Sequence, residues 1–273
     1  MILFYKVNLP YICNLYLLKI EITGDLMNIL VCVSRVPDTA ARINIGGNGK
    51  SIESAGVKFI VNPYDEFALE TGMRLKEAHG GTVTAVTVGE SNDVLRTALA
   101  MGVDTAIHVK ADINDIDSFG VAENLAAVAK EINADLVVLG RQSIDYDSYG
   151  MASTLGALLD QPSISVVSKI DVNGSELTCE RDIEGGKETI TVSTPCVIST
   201  QKGIYEPRYP KLPQIMKAKK KPIDEKDNVA SSKRTEVLSM EIPQSSRVGK
   251  IVGDSDNEIA EIVKALREDA KVI

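Results

Sequence analysis

From residue 27 to residue 162 the chain repeats one pattern: a short apolar run, then a longer stretch with apolar residues three or four apart. The runs at 29–33 and 135–139 predict buried strands, and those at 82–88 and 105–109 predict further strands. A shorter run at 59–61 predicts an edge strand. A helix opens next, at Asn62-Pro63-Tyr64-Asp65-Glu66. Asn62 suits its cap, Pro63 its first position, and the two carboxylates its positive end. Phe67, Leu69, Met73 and Leu75 give it apolar bulk, and Gly80-Gly81 ends it. Further helices are predicted over 93–101, closed by Gly102, over 119–132, and over 151–159, stopped near Pro162. Strands spaced by helices make βαβ units, hence an α/β fold with an open parallel sheet flanked by helices, Rossmann-like in type. Ligands on such sheets sit beyond the carboxyl ends of the strands. The loops after Val33, Val88 and Leu139 are therefore the first places to look for a site.

Beyond Pro162 the pattern changes. Residues 166–172, the turn Asn173-Gly174 and residues 176–181 predict a β-hairpin. Further β-like runs follow at 187–193 and 196–200. Residues 205–227 are rich in Pro and Lys, and a polar stretch surrounds 231–235. The basic, proline-rich segment lacks the apolar residues for a core of its own. Composition favours a linker, with an arm that wraps a partner as the pointed alternative. A closing amphipathic helix over 257–269 carries Ile259, Ile262, Val263 and Leu266. The organisation expected is a leader at 1–26, an α/β domain at 27–204, and an extended recognition loop with a C-terminal arm at 205–273. The leader is apolar but interrupted by Lys6, Pro10, Lys19 and Glu21, too broken to span a membrane. Met27 opens the first clean strand, so it is read as the native start.

Composition narrows the function. Aromatics are 4% of residues and Trp is absent, against a stacking platform for single-stranded nucleic acid. A net charge of −8 disfavours nucleic acid as a partner. Cys13, Cys32, Cys179 and Cys196 form no CxxC pair, so no metal or iron–sulfur site is expected, and a reducing, cytoplasmic setting fits. With two His there is no nucleophilic triad to assemble. His79 and His108 read as structural, and no catalytic residue is expected.

The loop running Gly140, Arg141, Gln142, Ser143, Ile144, Asp145, Tyr146, Asp147, Ser148, Tyr149, Gly150, Met151 follows a buried strand and precedes a helix. It offers hydroxyls, amides and two carboxylates at the ligand end of the sheet. Helix-start N–H groups there suit a phosphate, and Asp145 or Asp147 suits a sugar hydroxyl or the helix cap. Neither the GxGxxG fingerprint nor a P-loop is present. An ordinary polar connection explains the same pattern about as well.

Several stretches taken together resemble the beta (small) subunit of electron transfer flavoprotein. They are Val33-Ser-Arg-Val-Pro-Asp38, Asn62-Pro-Tyr-Asp-Glu66, Arg96-Thr-Ala-Leu-Ala-Met-Gly102, the 140–147 loop, Arg181-Asp-Ile-Glu-Gly-Gly-Lys-Glu-Thr189, and Glu206-Pro-Arg-Tyr-Pro-Lys-Leu-Pro-Gln-Ile-Met-Lys-Ala-Lys-Lys-Lys221. The last is long, unusual and highly specific, and the likeness runs from Met27 to Ile273. The resemblance implies a heterodimer with an alpha (large) subunit that holds most of the FAD. Electrons would pass from dehydrogenases, chiefly acyl-CoA dehydrogenases, to a quinone oxidoreductase. It further implies an AMP in the small subunit, or a second FAD in electron-bifurcating relatives. Nucleotide contacts would fall to Cys32, Asn62, Pro63, Tyr64, Asp65, Val88 and the 140–151 loop. Asp182 would face an arginine near the flavin, with Asp where the family has Glu. Leu212 would anchor a dehydrogenase, with Pro213, Ile215 and Met216 beside it. The chain departs from AMP-binding relatives at Tyr149-Gly-Met-Ala152, where they carry Asn-Gln-Thr-Gly, and at Pro210 and Lys211, which replace smaller residues. A stand-alone adenine-nucleotide-binding module remains the alternative outside the family.

Overall fold

The computed structural model describes residues 26–230, 233–243, 249 and 251–273. The leader expected at 1–26 lies outside the described residues except for Leu26, as do Cys13 and residues 231–232. Two compact units are formed. The first is Ser54–Val237 together with the chain up to Ile43, and the second is Asn44–Glu53 with Leu238–Ile273.

The first unit begins with β1 (Met27–Cys32), the short β2 (Arg35–Pro37) and β3 (Phe59–Val61), then α1 (Pro63–His79), β4 (Gly81–Gly89), α2 (Asp93–Met101), β5 (Thr105–Lys110), α3 (Ser118–Glu131), β6 (Leu136–Gly140) and α4 (Met151–Leu159). It continues through β7 (Ser163–Asn173), β8 (Glu176–Ile183), β9 (Gly186–Ser193), β10 (Cys196–Thr200), α5 (Leu212–Ala218) and β11 (Asp224–Asp227). Nine strands make one sheet in the order β11-β5-β4-β1-β6-β10-β7-β8-β9. Pairing is parallel from β11 to β7 and antiparallel in the β7-β8-β9 meander. β2 and β3 form a separate antiparallel ribbon.

Alternating side chains on each central strand enter different cores. Ile29 and Val31 pack with α1 and α2, whose buried residues include Leu69, Met73, Leu95 and Leu99. Leu30 and Cys32 pack on the opposite face with α3 and α4, through Leu125, Val128 and Leu155. Burial on both faces is why β1 and β6 read as apolar runs. Gly72 lets α1 lie close on β1, since a Cβ there would stand 2.9 Å from Val31 Cγ2. From β1 the chain moves through β4 to β5 on one side, and α3 then returns it to β6 on the other. Beyond the carboxyl ends of β1 and β6 lies the topological switch point.

The segment at 205–230 departs from the linker reading. It contains α5 and β11, and β11 extends the sheet by pairing with β5 from Asp224↔Ile107 to Asp227↔Lys110. Ala218 is buried, Arg96 Nη1 donates to Ala218 O at 2.9 Å and Lys221 O at 2.6 Å, and Lys221 Nζ donates to Val103 O at 2.8 Å. The polar residues that make it look like a linker are spent on backbone carbonyls of the α/β body. In the second unit, Ile45 and Ile52 form an antiparallel bridge and Met240 N donates to Gly49 O. There α6 (Asp256–Lys264) starts in a Ser255–Glu258 capping box and passes into a wide π turn at Ala265–Asp269.

Candidate functional site

At the switch point, α1 begins immediately beyond β3 and its first turn meets the end of β6. Asp65 is buried there and works as a cross-link. Its Oδ2 accepts from Ser34 N at 2.7 Å, after β1, and its Oδ1 accepts from Gly140 N at 3.0 Å, at the end of β6. Asp65 therefore does more than sit at a positive helix end, the role its position suggests. Burial pushes its carboxyl up to about 7, against hydrogen bonds from Ser34, Asn62 and Gly140 that favour the charged form. Gly140 is required at this junction, because a Cβ would lie 2.4 Å from Asp65 Oδ1 and 2.7 Å from the Tyr64 carbonyl carbon.

Asn62 does not cap α1 with its side chain. It reaches the loop instead, where Nδ2 donates to Gln142 O at 2.8 Å and Oδ1 accepts from Ile144 N at 3.3 Å. The amide dipole is spent on two groups of another segment, so the loop's root is fixed by a buried side chain. Arg141 Nη2 donates to Tyr64 OH and Nη1 to Gln201 Oε1, both at 2.9 Å. Its guanidinium stands 4.6 Å from the Tyr64 ring centroid and 5.5 Å from that of Tyr149. Gln142 Nε2 donates to Asp147, and Asp147 takes a left-handed φ of 55° that turns the loop back on itself. Residues 145–150 are all exposed, and Tyr146 keeps 77% of its surface. Gly150, not Asp145 or Asp147, occupies the N-cap of α4, with no side-chain cap.

The fold thus brings Asn62, Tyr64, Asp65 and residues 140–144 into one network. Cys32 ends β1 in the apolar core, where burial pushes its thiol far up, and Val88 packs on the same core face. Both sit at the ligand end of the sheet through position only. Two atoms in the network keep no partner among the described residues: Arg141 Nε and Gln142 Oε1, both buried. They leave polar capacity at the loop's root. Two open clefts of about 330 Å³ each lie elsewhere, one lined by Asn124, Glu131 and Lys226, the other by Phe59, Glu66 and Thr97.

The electron transfer flavoprotein domain matches residues 50–231. The electron transfer flavoprotein subunit beta of Bacillus subtilis is 40% identical over 259 residues, covering 90% of this chain and all of that one. The mitochondrial subunit beta of Oryza sativa subsp. indica is 39% identical over 257 residues, and the Homo sapiens subunit beta is 35% identical over 246, covering 96% of it. The chain belongs to the electron transfer flavoprotein beta-subunit family.

Outside the switch point lie the two further elements that the resemblance singled out. Asp182 lies on β8 with an exposed carboxylate 3.8 Å from Lys187 Nζ, at the far end of the meander. Leu212, Ile215 and Met216 lie on α5 with Pro213. Leu212 keeps 72% of its surface and Met216 52%. Among the described residues there is no cluster of metal-binding side chains and no helix long and apolar enough to cross a membrane. Sequence reasoning missed Ser34 and Gln201 as parts of the switch-point network, and the tie between Glu70 on α1 and Arg208 ahead of α5. A carboxylate within the buried stretch of α1, at Glu70 between Leu69 and Met73, was the available signal.

Proposed function

We propose that this chain is the small subunit of a heterodimeric electron transfer flavoprotein, pairing with an alpha subunit that carries most of the FAD. Electrons enter from dehydrogenases, acyl-CoA dehydrogenases among them, and leave to a quinone oxidoreductase or comparable acceptor. The FAD supplies the redox chemistry; this chain supplies binding and shape. The observation that carries the reading is the 140–151 loop, rooted at the switch point by Asp65 and Asn62 with its polar tip in solvent. An adenine nucleotide fits this donor set. Ser143 and Ser148 offer hydroxyls, Asp145 a carboxylate for a ribose, and the α4 start offers N–H groups to phosphate in place of the side chains missing at Tyr149-Gly-Met151. AMP is the nucleotide proposed here, with Asn62, Pro63, Tyr64, Asp65, Cys32 and Val88 forming the back of the site. Asp182 faces the alpha subunit's flavin side, and Leu212, Pro213, Ile215 and Met216 meet the dehydrogenase. The buried reduced thiols at Cys32, Cys179 and Cys196 suit a reducing compartment such as the cytoplasm.

The test is to co-express the chain from Met27 with its alpha subunit, denature the purified complex, and identify the released nucleotides by mass and absorbance. One FAD and one AMP per heterodimer is the expected result. Two FAD would replace this reading with an electron-bifurcating complex, and FAD alone would remove the nucleotide from the 140–151 loop. A stable monomer that binds nucleotide and ignores the alpha subunit would overturn the assignment in favour of a stand-alone module.

A further inference from the structure

Residues 201–211 join β10 to α5, and 205–211 among them have no helix or strand of their own. Tyr205 packs against the core, and Arg208 supplies the polar attachment to α1. Arg208 donates from Nε to Glu70 Oε2 at 2.7 Å and from Nη2 to Glu70 Oε1 at 3.0 Å, and its backbone N reaches Glu70 Oε2 at 3.2 Å. The same guanidinium reaches Glu77 Oε1 at 2.6 Å and Oε2 at 3.2 Å, two turns further along α1. Arg74 Nε completes the cluster with Glu70 Oε1 at 2.7 Å. Glu70 has no solvent exposure at all. Burial pushes its carboxyl up, and the hydrogen bonds from Arg208 and Arg74 outweigh that and hold it below the usual carboxylate range.

Burying Glu70 against a partly exposed arginine is a poor way to add stability, because desolvating the carboxylate offsets much of the attraction. An apolar residue would fill the same volume of α1 at less cost. What the pair does supply is direction: a planar fork on a carboxylate fixes distance, plane and register together. Four residues beyond Arg208 stands Leu212, exposed, followed by Met216 on the same short helix, while Tyr209 keeps 91% of its surface. The far end of α5 is held separately by Arg96 and Lys221. The exposed apolar residues thus lie between two polar clamps, and the Arg208 clamp is the one on their N-terminal side.

We propose that the Glu70–Arg208 pair is a positioning device that sets how Leu212 and Met216 are presented to a dehydrogenase, and so governs docking without touching the flavin. This rests on the reading of residues 206–221 as the docking segment. Neither residue is catalytic, and both act through α5.

The test uses the purified heterodimer with FAD bound, reduced by a substrate-reduced acyl-CoA dehydrogenase over a range of dehydrogenase concentrations. Glu70→Gln and Arg208→Lys should each raise KM for the dehydrogenase about tenfold, a size ordinary for a coupled buried network, with kcat within about twofold. FAD content and flavin absorbance should stay unchanged. Glu77→Gln, on the exposed side of the cluster, should do less. In a Leu212→Ala background, Glu70→Gln should add little, because both changes act on the same contact. Should Glu70→Gln fail to fold, Arg208→Lys carries the test alone. If Leu212→Ala leaves KM unchanged, the docking reading itself fails. If Leu212→Ala raises KM while Arg208→Lys does not, or if their effects multiply in full, the docking reading stands and the positioning role is overturned.

Discussion

The loop after β6 and the segment after β10 are both rich in polar residues, yet the fold treats them differently. The 140–151 loop is fixed at one root. Asp65, Asn62 and Arg141 hold residues 140–144, and everything from Asp145 to Gly150 faces solvent. The 205–230 segment is fixed along its length, by Arg208 on α1, by Lys221 at Val103, by β11 on β5, and by Val229 N on Asn124 Oδ1 at 2.9 Å. What each leaves exposed also differs. The loop tip presents hydroxyls, carboxylates and two tyrosines, whereas the strapped segment presents Tyr209, Leu212 and Met216. A polar tip on a single root suits a small polar ligand that can finish ordering it. An apolar helix between rigid clamps suits a protein surface, since a fixed anchor loses less entropy on docking.

Breaking the root of the loop should have the largest effect. Gly140→Ala places a methyl against Asp65 and the Tyr64 backbone, neither of which can move without disturbing the start of α1. A loss of about 3 kcal/mol is expected from urea unfolding, at the upper end for overpacking. A loss below about 1 kcal/mol would mean that the junction yields, and that the loop is not rooted as described.

Asp65 sharpens the same point through pH. Its native carboxyl titrates at about 7 against 3.8 for the ordinary group. Between these values the native state holds a proton that the unfolded state has lost, so stability falls as pH rises through that window and is level on either side. Asp65→Asn removes this term. The difference between the two proteins in urea unfolding should shift between pH 5 and pH 8 in the direction that costs the wild type at high pH. Parallel pH profiles would show that Asp65 is ionised throughout and that its two backbone donors outweigh burial.

The central fold was legible because its physics is local. Strands buried on both faces must be apolar at every position, and Ile29 to Cys32 announce this in four letters. The helix at Met151–Leu159 and the strand at Cys196–Thr200 fall where apolar spacing and Pro162 place them. The site was legible in location but not in wiring. Asn62 and Asp65 carry ideal helix-start chemistry, and that local reading hid long-range roles across the switch point. Likewise the Lys and Pro content of 205–227 suggests a solvated linker, because nothing near Arg208 or Lys221 in sequence reveals that their partners are Glu70 and Val103. Polar groups whose partners lie more than a hundred residues away leave no periodic trace.

The smallest effect on stability tests the far end of the strapped segment. Asn124 is buried on α3, where Nδ2 donates to Gly120 O at 2.9 Å and Asn228 Oδ1 at 2.7 Å, and Oδ1 takes the Val229 amide. Asn124→Ala should cost about 1 kcal/mol, the scale for losing an intramolecular hydrogen bond whose freed donor, on the exposed Val229, can turn to water. Its distribution matters more than its size. Hydrogen exchange should quicken at Val229 and along β11 while Gly140 and Ile144 stay protected, because the loop's root is held by Asn62 and Asp65 at the start of α1 and not from α3. Faster exchange at both would mean that the loop and the strap are one cooperative unit, and the division between a single-rooted loop and a clamped helix would have to be abandoned.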